Sequence, residues 1–265
     1  MRFQLFALLS FSILGCGDSI DNSMSTSDHA EALASKASDG GLSGFSSGNG
    51  LYMEFKGSRP RDDWLTHLSG SPDLSVLGIA STQITDEGLR HVVGLSNLTG
   101  IKLSNNPSMT DAGLEHLSRV SNLTYISLHN GNYVDNSSGA PRSRDSDFTD
   151  DGIKYLSRLT NLSSIELYGI PISDVGLKHL SKLPNLSSLG IRNSQITDAG
   201  VEHLKKLTKL ASLSLVGNQM TDAGIEHLKG MTNLSNLELD QSILSDENLA
   251  DLRESLPQCN IRSGF

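Results

Sequence analysis

From residue 74 onward the chain repeats one pattern of apolar and polar positions. Leu162-Ser-Ser-Ile165-Glu-Leu167 recurs as Leu186-Ser-Ser-Leu189-Gly-Ile191, Leu210-Ala-Ser-Leu213-Ser-Leu215 and Leu234-Ser-Asn-Leu237-Glu-Leu239, and earlier copies begin at Leu74, Leu98 and Leu123. The starts are separated by 24, 25, 39, 24, 24 and 24 residues. The motif alternates with a period of two. It predicts a short strand whose leucines share one face while the intervening residues share the other. The second half of each copy is Thr-Asp-Ala-Gly, an aliphatic residue, then Glu-His-Leu, beginning at Thr110, Thr197 and Thr221, with related forms at Thr85, Thr149, Ser173 and Ser245. A Thr or Ser followed by an acidic first turn predicts a helix start. Apolar residues then fall three apart, as in Leu177, Leu180, Leu183 and in Val201, Leu204, Leu207, which gives each helix one buried stripe.

A strand-helix unit of this size cannot bury its own apolar faces, but stacked units share one continuous core. The repeats resemble the leucine-rich-repeat family, in the bacterial short-helix variety whose signature reads here as Ile84-Thr85-Asp86-Glu87-Gly88-Leu89 and Ile196-Thr197-Asp198-Ala199-Gly200-Val201. The resemblance implies an α/β solenoid of about eight rungs over residues 50–265. A curved parallel β-sheet would form its concave side and short helices its convex side. The interval of 39 is one repeat plus an insertion at about 130–147. A degenerate first rung begins near Gly50, with Trp64 expected in the N-terminal cap. Pro257 ends the last helix, and Cys259 and Ile261 are expected on a closing strand.

The N-terminus has another character. Arg2 precedes an apolar run from Phe3 to Leu14, which is signal-peptide length and too short to span a bilayer. The run stops at Ile13-Leu14-Gly15-Cys16, which resembles a bacterial lipobox, with Leu14 departing from the small residue usual at that position. The resemblance implies a signal peptide over 1–15 and acylation of Cys16. Residues 16–49 turn to Ser, Gly and Asp and read as a flexible tether. The expected localisation is therefore exported and lipid-anchored to the bacterial cell envelope. The outer membrane is favoured because Gly17 is not acidic. Removing 1–15 leaves 20 basic against 30 acidic residues, so the membrane would be held through the lipid only.

Composition narrows the remaining chemistry. A net charge of −9 disfavours a nucleic-acid partner. Two cysteines exclude a disulfide framework. Six histidines fall in register (His67, His91, His116, His179, His203, His227) and raise a metal-dependent or enzymatic alternative. Packed helices lie about 8–10 Å apart, far for nitrogens that must sit about 2.0 Å from zinc, so they read as helix-flank residues. The aspartate column (Asp86, Asp111, Asp150, Asp174, Asp198, Asp222, Asp246) is read as helix capping. Asp145 to Gly152 faintly resembles a calcium loop, but its glycine is misplaced for one. No nucleophile-elbow, phosphate-loop or zinc-protease motif occurs, so no enzyme activity, cofactor or metal is expected.

The remaining candidate is the outward face of the strands. Eight strands about 4.8 Å apart make a face about 34 Å long. Most of its positions are small, including Gly78, Gly100, Gly190 and the serines, with Val216 also expected to face outward. Larger residues cluster at Tyr125, His129, Glu166, Tyr168 and Arg192. Tyr and Arg dominate interface hot spots, and small neighbours leave room for a partner. The insertion emerges beside this cluster and carries Tyr133, Arg142 and Arg144. The expectation is a monomeric protein-recognition module with an unidentified protein partner. The alternative is a structural spacer lipoprotein with no specific ligand.

Overall fold

The computed structural model describes residues 42–47, 50–58, 60–71, 73–130 and 147–264. Ten strands form one sheet in sequence order: β1 (Leu42–Ser47), β2 (Gly50–Lys56), β3 (Leu74–Ala80), β4 (Gly100–Ser104), β5 (Tyr125–His129), β6 (Ser164–Tyr168), β7 (Ser188–Arg192), β8 (Ser212–Ser214), β9 (Asn236–Asp240) and β10 (Asn260–Gly264). β2 to β10 run parallel. The helices are α1 (Asp62–Thr66), α2 (Asp86–Leu89), α3 (Asp111–Leu117), α4 (Asp150–Leu156), α5 (Asp174–Leu180), α6 (Asp198–Leu204), α7 (Asp222–Leu228) and α8 (Asp246–Ser255). Short 3₁₀ turns continue α1 and α2. The expected α/β solenoid is the observed one. The inward leucines of the strands and the helix stripes form one continuous aliphatic core.

The aspartate column does more than cap. Each aspartate before Asp246 opens one helix and reaches the start of the next. Asp86 accepts from the Thr110 backbone N–H through Oδ1 at 2.8 Å and from the Thr110 hydroxyl through Oδ2 at 2.7 Å. The same pair of bonds joins Asp62 to Thr85, Asp111 to Thr149, Asp150 to Ser173, Asp174 to Thr197 and Asp198 to Thr221. The Thr110 hydroxyl also accepts from Ala112 N–H in its own helix, so one side chain caps its helix and docks it to the preceding rung. The pairing survives the insertion, since Asp111 and Thr149 stand 38 positions apart.

This ladder explains the glycine two positions after each aspartate. A Cβ on Gly152 would lie 2.0 Å from Asp111 Oδ1. Gly152→Ala is expected to cost about 2–3 kcal/mol, because a bulky Cβ would unseat the aspartate and leave its hydrogen-bond partners unmatched. Gly94→Ala meets nothing within 4 Å and is expected within about 0.5 kcal/mol of the native chain. Denaturant unfolding of the two variants checks the difference. In the last rung Asn248 stands at the glycine position, and its amide donates to Asp222 Oδ1 at 2.7 Å.

Both ends differ in detail from the sequence expectation. Trp64 packs edge-on against Phe55, with ring centroids 5.9 Å apart, over the N-terminal end of the core. β1, however, lies within the stretch read as tether and pairs antiparallel with β2. It covers backbone groups that β2 would otherwise expose at a sheet edge. Cys259 and Ile261 pack against the C-terminal end of the core, and burial pushes the Cys259 thiol up, away from its reactive form. Val216 is buried although it lies outside the aliphatic core, beside Gly264 and Glu238. β8 ends at Ser214, and the chain turns at Gly217 with φ of 75°.

Candidate functional site on the concave sheet

Parallel register places the candidate side chains. Tyr125 stands opposite Ser164, Ser127 opposite Glu166, and His129 opposite Tyr168, which in turn stands opposite Arg192. All five candidates on described strands, Tyr125, His129, Glu166, Tyr168 and Arg192, therefore come together over three adjacent strands. Each is half-buried. Cys16, Tyr133, Arg142 and Arg144 lie outside the described residues. The insertion leaves after Asn130, whose N–H donates to the Tyr168 carbonyl at 2.9 Å, and returns where Asp147 bridges Thr110.

The cluster is tied together internally. The Tyr125 hydroxyl donates to Glu166 Oε2 at 2.8 Å, and the Ser127 hydroxyl donates to the same oxygen at 3.1 Å. Ser127 Oγ also lies 2.9 Å from His129 Nε2. Its single proton is committed to Glu166, so it accepts from an Nε2–H tautomer of His129. The His129 ring packs on Tyr168, with centroids 4.4 Å apart, and the Arg192 guanidinium lies 5.4 Å from the Tyr168 ring centre. Arg192 Nε donates to Ser214 Oγ at 2.9 Å, and its Nη2 pairs with Glu238, two strands away.

Burial governs the electrostatics. It pushes the Tyr125 hydroxyl up to about 12, with Ser127 acting downward and Glu166 upward. It raises Tyr168 as well, with the Glu166 carboxylate reinforcing the effect. Burial holds the His129 imidazole below its ordinary range. The Glu166 carboxylate opposes this shift, and the Lys102 ammonium adds to it. The histidine is thus neutral and the tyrosines protonated near neutral pH. Ser127 and His129 make a contact superficially like a nucleophile and its base. The carboxylate, however, sits on the serine and not on the imidazole, which is not the order that activates a nucleophile.

Several participants were not singled out from sequence. Lys102 Nζ lies 5.8 Å from the Tyr52 ring centre and 5.7 Å from that of Tyr125. Ser127, Ser214 and Glu238 complete the network. The signal was present in the register, because each occupies an outward position of the same motif. The small neighbours also serve the tyrosines themselves. A Cβ on Gly78 would lie 3.0 Å from the Tyr52 hydroxyl, on Gly100 3.4 Å from the Tyr125 ring, and on Gly190 3.6 Å from the Tyr168 ring. Part of the room expected for a partner is thus taken by the rings.

The histidine column lies on the helix side. His116 Nδ1 and His179 Nδ1 are buried without a hydrogen-bond partner, and His227 Nδ1 faces Lys205 Nζ at 3.1 Å. Among the described residues, no three His, Cys, Asp or Glu side chains converge on a metal-sized site.

A family profile described as "Leucine Rich repeat" matches residues 206–229, one full period. The fold of internalin C2 from Listeria monocytogenes superposes with a TM-score of 0.56 at 22% identity, over 80% of this chain and 80% of that one. The fold is a leucine-rich-repeat solenoid. An internalin F from the same organism is also similar, with a TM-score of 0.50 at 22% identity, covering 76% of this chain and 57% of that one. No curated protein matches the chain by sequence. In the leucine-rich-repeat frame the cluster occupies the middle of the concave sheet. The two carboxylates and the guanidinium are already paired there, and three aromatic rings are held against the strands.

Proposed function

We propose that this leucine-rich-repeat chain is a non-enzymatic recognition module, exported and held at the cell envelope by a lipid on Cys16, that binds a protein partner through its concave face. The observation that carries the reading is the fixed strip formed by Tyr125, His129, Glu166, Tyr168 and Arg192. A rigid parallel sheet holds these side chains in place before any partner arrives, so little rotamer entropy is lost on binding. Tyr and Arg are also the side chains that most often anchor interfaces. The small outward residues of β7 and β8 flank the strip and leave an approach open on its C-terminal side. The insertion, with Tyr133, Arg142 and Arg144, departs from the rim beside it and would extend the same surface.

A second reading has its own support. Each charged member of the strip already has a partner within the chain, as expected of a spacer whose outward residues only stabilise the sheet. The two readings separate in a crosslinking capture from envelope extract. Recognition requires a partner that the native chain retains and the Tyr125→Ala, Tyr168→Ala, Arg192→Ala variant loses. Capture of nothing, by either chain, favours the spacer. Mass spectrometry of the processed N-terminus tests the anchor separately, as acyl mass on Cys16.

A further inference from the structure

The helix side carries a charge pattern that the net charge conceals. At the fifth position of the helices, α3 has Glu115 and α7 has Glu226. Each glutamate pairs with a basic residue just beyond, Arg119 at 3.7 Å and Lys229 at 2.6 Å. α4 and α5 carry Lys154 and Lys178 at that same position. The basic residues beyond them, Arg158 and Lys182, therefore have no glutamate to meet. Lys206 continues their column on the next rung, 24 residues after Lys182. All five side chains are exposed, and among the described residues none of them enters an ion pair, Arg158 lying instead 5.1 Å from the Tyr155 ring centre.

The electrostatics of His179 follow the same pattern. His179 feels the positive charges of both Lys154 and Lys182, which add to its burial in holding it below its ordinary range, while Asp150 and Asp151 act in the opposite sense. Glu202, at the corresponding position of α6, is exposed and in register with the two lysines, as is Glu226 on α7. A helix C-terminus favours a cation at its end. It does not account for a lysine standing where α3 and α7 place a paired glutamate. The result is a band of five unpaired cations across three consecutive rungs, in a chain whose net charge is −9.

We propose that this band docks the solenoid on an anionic phospholipid bilayer, turning the concave face away from the membrane. The occupant follows from charge complementarity and from chain length. Only 25 residues separate Cys16 from β1, so a lipid on Cys16 would keep the band within reach of the surface. The proposal rests on the anchoring reading but is tested without it. Each cation near such a surface adds roughly a fivefold gain in partitioning at low salt, screened over about 8 Å at physiological ionic strength.

The experiment is co-sedimentation of the mature chain bearing Cys16→Ser, which carries no acyl group. One set of vesicles contains phosphatidylglycerol with phosphatidylcholine, and the other phosphatidylcholine alone. The expected result is partitioning onto the anionic vesicles only, weakened by salt. It should fall at least about a hundredfold in the Lys154→Glu, Lys178→Glu, Lys182→Glu, Lys206→Glu variant, with unchanged circular dichroism. The Tyr125→Ala, Tyr168→Ala, Arg192→Ala variant should partition like the native chain. Absence of partitioning, equal partitioning onto neutral vesicles, or indifference to the four reversals overturns the proposal. Retention on soluble polyphosphate without vesicle binding overturns it too, and assigns the band to an anionic polymer. Acylation at Cys16 is read separately, so failure of docking and failure of anchoring are distinguishable.

Discussion

Leu167→Ala is expected to lower the unfolding free energy by about 3–5 kcal/mol, the largest single effect at any position considered. Leu167 is fully buried in β6, in register with Leu128 on one side and Ile191 on the other. Truncation removes the transfer energy of the side chain and leaves a cavity that neighbours on both rungs can fill only partly. In a solenoid each rung is stabilised chiefly by its two neighbours, so a central defect weakens two interfaces at once. Ile261→Ala offers the contrast. Ile261 is only partly buried, on the terminal strand β10, with a rung on one side. Its expected cost is at most about 1 kcal/mol. Urea unfolding of the two variants measures the ratio. Equal losses at both positions would contradict a continuous core whose stability is carried rung by rung.

Replacing Tyr125, Tyr168 and Arg192 together by Ala is expected to weaken partner binding by roughly a hundredfold or more, about 3 kcal/mol, with the solenoid intact. The three side chains lie outside the leucine core, so the fold survives their loss. Their removal does leave Glu166 and Glu238 short of a partner. Both carboxylates keep access to water, and the added destabilisation should stay near 1 kcal/mol for each. Tyr168→Phe is the informative control. It keeps the ring between His129 and Arg192 and removes only the hydroxyl, so binding should stay close to native. A triple variant that binds as well as the native chain would remove the strip from the interface.

The architecture was legible because one physical fact repeats. A period of 24 with alternating leucines fixes both the strand face and the rung register, and the register alone brings Tyr125, His129, Glu166, Tyr168 and Arg192 together. What stayed hidden depends on neighbours that a single repeat does not contain. The aspartate at each helix start looks like a dipole partner until the next rung's threonine is stacked against it. Glu238 reaches Arg192 only because the guanidinium extends across β8, past Ser214. β1 escaped because its Ser- and Gly-rich residues carry no alternation, and its role is to cover the exposed edge of β2. Val216 kept the outward phase of its motif but is covered, because the turn at Gly217 ends β8 at Ser214 and the closing strand brings Gly264 against it.

Recognition through the concave strip is tested most directly by site-specific photo-crosslinking. Ser188 is small, lies on β7 with Arg192, and is flanked in register by Ser164 and Ser212, so it accepts a photoreactive side chain without disturbing the strip. Glu202, exposed on α6, serves as the opposite-face probe. In envelope extract, the expected result is a discrete crosslinked partner from position 188, lost in the Tyr125→Ala, Tyr168→Ala, Arg192→Ala background, and no such product from position 202. A partner crosslinked from position 202 and not from position 188 would contradict recognition by the concave face.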